Sequence, residues 1–111
     1  MKYETDKEYF TGRYWNDGKK IYIKIVDCGN ISANTTNTIP HNITNIDRIT
    51  GYKGIADIGS STYVTLPYLN TSSLNYSVQI QIGKIDNIVI RTVNYALSSI
   101  YVTMFYTKTT D

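Results

Sequence analysis

A chain of 111 residues with a hydrophobic fraction of 41% holds one domain around one core, and 18% charged residues leave a net charge of only +2. The lysines are scattered, so the basic footprint of a nucleic-acid binder is missing. A lone cysteine excludes an internal disulfide framework and a cysteine zinc site, and no apolar run is long enough to span a bilayer.

Abundant Ile, Thr, Tyr and Val favour strands over helices. Residues 1–11 read as a polar lead-in or short edge segment, and 12–111 as a single β domain. Met1-Lys2-Tyr3-Glu4 does not open a signal peptide. The first hairpin forms around Asp17-Gly18, read as a two-residue turn that supplies positive φ at little steric cost. Beyond it Ile21, Ile23 and Ile25 share one strand face, and Tyr22, Lys24 and Val26 share the other. Cys28 ends this strand as a small buried hydrophobe.

Ile31 to Ile39 gives a short edge strand, broken at Pro40-His41-Asn42 because proline has no N–H for a ladder. A strand follows near Ile46 to Asp57, with a bulge or bend at Gly51 and Gly54. Gly59-Ser60-Ser61 makes a loop tip, and Thr62 to Tyr68 the next strand. Leu74, Tyr76, Val78, Ile80 and Ile82 alternate with polar residues, the pattern of a half-buried antiparallel strand. Asn87 to Val93 returns with Ile88 and Ile90 inward. Asn94 to Ser99 is a loop, and Ile100 to Thr107 is the last strand. No stretch has a helical period, and turn signals recur at the spacing of an antiparallel β-sandwich or jelly roll.

Catalytic signals are weak. A glycosidase needs two opposed carboxylates, whereas Asp17, Asp27, Asp47, Asp57 and Asp86 each sit beside a turn or strand end, where the side chain bonds local backbone. His41 is the single histidine, in a polar loop, and reads as structural or solvent-exposed. No metal or other cofactor is expected. The Asn-X-Ser/Thr matches at Asn30, Asn34, Asn42, Asn70 and Asn75 follow from the Asn, Ser and Thr content. The 11 tyrosines carry the functional content, because tyrosine offers a flat apolar face and a polar tip at low entropic cost. Tyr52, Tyr63, Tyr68 and Tyr95 lie next to turns and are the candidates for receptor contact; Tyr22, Tyr76, Tyr101 and Tyr106 lie inside strands.

Two strands are apolar on both faces. Ile100, Val102, Met104 and Tyr106 oppose Tyr101 and Phe105, and the Ile21 face opposes Tyr22 and Val26. A small sandwich normally leaves one face of each sheet wet, so the second face is expected to meet a neighbour, with Tyr22, Tyr101 and Phe105 near the subunit contact.

The run Glu8-Tyr9-Phe10-Thr11-Gly12-Arg13-Tyr14-Trp15-Asn16-Asp17-Gly18-Lys19-Lys20-Ile21-Tyr22-Ile23-Lys24, the later His41-Asn42-Ile43-Thr44-Asn45-Ile46-Asp47 and the terminal Tyr106-Thr107-Lys108-Thr109-Thr110-Asp111 together resemble the C-terminal module of phage tail-fibre and head-fibre proteins. Gly51 to Ser99 matches that family in pattern only, and Lys20 stands where the family often has proline. The resemblance implies a homotrimeric virion appendage, made in the bacterial cytoplasm, that follows an upstream fibre shaft. It further implies contact with a host-surface glycan or protein, or with other virion proteins, and no enzymatic activity; it carries over no catalytic residue. A monomeric carbohydrate-binding module and a small glycan hydrolase are the alternatives.

Overall fold

The structure is a computed structural model that describes residues 4–59, 62–67, 78–83, 87–92 and 96–109. Its strands are β1 (Glu8–Tyr14), β2 (Lys20–Ile31), β3 (Thr36–Pro40), β4 (Ile46–Gly59), β5 (Thr62–Leu66), β6 (Val78–Ile82), β7 (Asn87–Thr92) and β8 (Leu97–Lys108). They form two antiparallel sheets, in the orders β1-β2-β8-β4-β5 and β3-β7-β6, with no helix among the described residues. This all-β architecture is compatible with a β-sandwich.

The larger sheet is built on β8, which pairs with β2 on one side and β4 on the other. Alternation drives Ile100, Val102, Met104 and Tyr106 of β8 into the core, all fully buried. Val26 and Cys28 of β2 and Ala56 of β4 join them, and Ile88 and Ile90 of β7 with Val78 of β6 complete the cluster from the smaller sheet. The short edge strand expected between Ile31 and Ile39 is β3, at the rim of the smaller sheet, and it ends at Pro40. Of the alternating run from Leu74, only Val78 to Ile82 lies within the described residues.

Three sequence expectations change. Of the two readings of residues 1–11, the short edge segment fits and the detached lead-in does not: β1 begins at Glu8 at the edge of the larger sheet, Glu8 pairs with Lys24, and the Asp6 N–H reaches the Ile25 carbonyl. The first turn is not a two-residue loop. The Gly18 N–H donates to the Trp15 carbonyl, the Trp15 N–H donates to the Lys19 carbonyl, and only Gly18 of the turn has positive φ, at 88°. That is a three-residue loop, Asn16 to Gly18, closed by a glycine in the left-handed region, a common longer hairpin connection. Finally, β2 is turned over. Tyr22, Lys24, Val26 and Cys28 point inward, and Ile21, Ile23 and Ile25 lie on the outer face, because Tyr22 pairs with buried Tyr106 and Val26 with buried Val102.

The glycines of β4 behave differently from one another. Gly51 sits at a register shift, as expected of a bulge. Gly54 is instead a close approach: a Cβ there would lie 2.8 Å from Leu66 Cβ on β5.

Candidate functional site

The outer face of the larger sheet carries the surface most unlike ordinary solvated β-structure. Residues directly opposite in an antiparallel pair share a face. Tyr101 is flanked by Asp27 of β2 and Ile55 of β4, and Asp57 of β4 stands opposite Tyr63 of β5. Tyr101 is 43% exposed, Ile55 37% and Tyr63 65%, so three large apolar groups are presented together at one end of the face.

At the other end Phe105 is flanked by Ile23 of β2 and Gly51 of β4. Here the hairpin turn swings Trp15 over the sheet. Trp15, Thr11, Arg13, Tyr14 and Ile21 from the hairpin, Thr50 and Gly51 from β4 and Phe105 from β8 line an open depression of about 340 Å³. The bulge in β1 at Gly12, whose φ is 84°, offsets Arg13 and Tyr14 from the regular pairing.

The inner face holds a polar cluster. Glu8 accepts a hydrogen bond from the Tyr106 hydroxyl at 2.5 Å and an ion pair from Lys108 Nζ at 2.8 Å. Burial alone raises the Glu8 carboxyl; the hydrogen bonds from Lys108 and Tyr106 and the charges of Lys108 and Lys24 outweigh it, and the group lies below its usual value. Burial, then the bond to Glu8, raises the Tyr106 hydroxyl. Both groups are therefore fixed in one protonation state, a carboxylate and a neutral phenol, the opposite of a pair poised to move protons near neutral pH. Buried Lys24 donates from Nζ to the His41 carbonyl at 2.7 Å. Cys28 is likewise closed to chemistry: burial, with the charges of Asp27 and Asp6, pushes its thiol up to about 12.

Of the five aspartates placed beside turns, three behave as turn residues, Asp47 instead pairs with Lys19 at 3.1 Å and accepts from the Thr107 hydroxyl, and Asp86 lies outside the described residues. Asp17, Asp27 and Asp57 each accept the backbone N–H two residues ahead, at Lys19, Gly29 and Gly59. Among the described residues no group of three His, Cys, Asp or Glu is placed to hold a metal ion, and no helix is long and apolar enough to cross a membrane.

The candidate contact residues disperse. Tyr63 and Tyr101 share the outer face, on either side of Ile55. Tyr52 is exposed but pairs with Met104, so it belongs to the inner side. Tyr22, expected near a subunit contact, is packed against the core and stacks on Tyr106 with ring centroids 6.2 Å apart. Phe105 is on the outer face as expected. Tyr68 and Tyr95 lie outside the described residues, as do Ser60, Ser61 and Asn94 of the loops proposed around them. Sequence reasoning missed Ile55 and the Trp15 depression, which take shape only through the pairing of β4 with β8. Compared with models of known families, with curated proteins and with solved structures, the chain finds no match.

Proposed function

We propose that this chain is a non-catalytic appendage module, the tip of a phage fibre, that assembles with two further copies of itself and meets a glycan on the host surface. The observation that carries the reading is the apolar group of Ile55, Tyr63 and Tyr101 exposed on the outer face of the larger sheet. A short chain that presents three such side chains together gains by covering them, and a surface meeting its own copies around an axis closes into a ring. Three copies is the number that the family resemblance implies. The inner-face carboxylate Glu8, held by Tyr106 and Lys108, supports binding over hydrolysis. Light scattering after gel filtration tests the assembly: the expected mass is about three times the 12.6 kDa of one chain. A folded species at 12.6 kDa overturns the trimer. The monomeric carbohydrate-binding module is then the better reading, and the Trp15 depression is the observation that favours it.

A further inference from the structure

Three residues lining the Trp15 depression carry side-chain hydrogen-bond donors with no acceptor among the described residues: Arg13 its guanidinium, Trp15 its indole N–H and Thr50 its hydroxyl. Between them the wall is apolar, made by the Trp15 ring, Ile21 and Phe105. At Gly51 a Cβ would meet nothing within 4 Å, so this position leaves space that any other residue would enter. Arg13 is the single charged residue of the lining. A flat apolar wall with a few convergent polar groups, in a volume of about 340 Å³, is the composition of a small-ligand site.

We infer that the depression binds an acidic sugar unit. The ring's apolar face lies against Trp15 and Phe105, its acid group pairs with the Arg13 guanidinium, and a hydroxyl meets Thr50. An apolar ligand would leave all three donors unmatched, and a neutral sugar would leave the guanidinium without a counter-charge. Arginine presents a planar fork of donors that suits carboxylate and phosphate alike, so a uronic acid and a sugar phosphate share the chemistry. Phe105 lies four residues from Tyr101 along β8, about 13 Å, so the depression and the centre of the proposed self-contact lie at opposite ends of one face. The inference takes from the proposed function only the expectation that a glycan is the partner. Assembly is read separately by mass.

Trp15 is the only tryptophan, so its fluorescence reports on the depression directly. The full chain is titrated with glucuronic acid, glucose 1-phosphate and glucose. The expected result is a saturable change with at least one of the acidic sugars, with Kd on the order of 1 mM, and roughly tenfold weaker binding of glucose. Arg13→Gln should bring the acidic sugars down to the level of glucose. Gly51→Leu should abolish saturation while the circular dichroism spectrum stays that of the parent, since the position has open space and no positive φ. Three results each overturn the site: no saturable change with either acidic sugar, an equal response to glucose, or parental binding by Arg13→Gln. Light scattering of the same samples shows independently whether the trimer stands.

Discussion

His41 illustrates how one residue can join two sheets. It is 1% exposed, and its Nδ1 lies 3.1 Å from the Ile43 N–H, which can only donate. Its Nε2 lies 2.8 Å from the Gly83 carbonyl beyond β6, which can only accept. The pairing therefore specifies the neutral ring with its proton on Nε2. The His41 carbonyl in turn takes the Lys24 ammonium from β2. His41→Ala leaves the buried Ile43 N–H and the half-buried Gly83 carbonyl without this partner and opens a hole, so we expect a loss of about 2–4 kcal/mol in urea unfolding. Nitrogen NMR of the imidazole should report the Nε2–H tautomer. Glu8 sets an acid limit of a different kind. Its folded pKa is depressed, so its contribution is fully present above the ordinary value of 4.5 and is lost as pH falls through the lower folded value. Between about pH 5 and 3, Glu8→Gln should lose less stability than the parent, measured by denaturation midpoints; because the Glu8 side chain is still 35% exposed, the difference is modest.

At the scale of elements, the first hairpin and β4 make two glycine predictions that fail by different routes. Gly18→Val meets no neighbour, yet places a β-branched side chain at φ 88° in the turn that sets the register of β1 on β2. Gly54→Ala is unstrained in φ but drives its Cβ to 2.8 Å from Leu66. Each should cost about 1–3 kcal/mol in chemical denaturation. Leu66→Gly should relieve the second by removing the Cβ that Gly54→Ala would meet, and should leave the first unchanged. Much of the element layout was legible because alternation and turn chemistry are local: Ile88 and Ile90 point inward, and Asp17, Asp27 and Asp57 bond their own turns. The orientation of β2 was not legible. Both of its faces are apolar, and the inward face contains Lys24, whose burial depends on carbonyls at His41 and Asn42 that only the fold brings near. The depression was half legible. Trp15 marked the hairpin, but Phe105 and Gly51 reach it through the register of β4 on β8, which no local pattern encodes.

For the whole molecule, the proposed assembly rests on the outer face. A stable contact needs about 800 Å² from each partner, more than three side chains supply, so the patch must extend to neighbours in the same rows. Thr65 stands beside Ile55 across β5, and Lys53 and Ile25 flank Thr103 on β8. Asp27 sits directly opposite Tyr101. A carboxylate introduced at Tyr101 would therefore face Asp27 within one chain and desolvate against an apolar surface in the assembly. Ile55→Asp would add a second charge in the same row. Neither side chain enters the core cluster, so folding should survive while association does not. We expect Tyr101→Glu with Ile55→Asp to lower the mass in light scattering from about three chains to one at unchanged circular dichroism. If the parent runs as the proposed trimer, a double variant of the same mass would show that the copies meet through some other surface, and loss of the β spectrum would show that these two positions hold the sheet itself together.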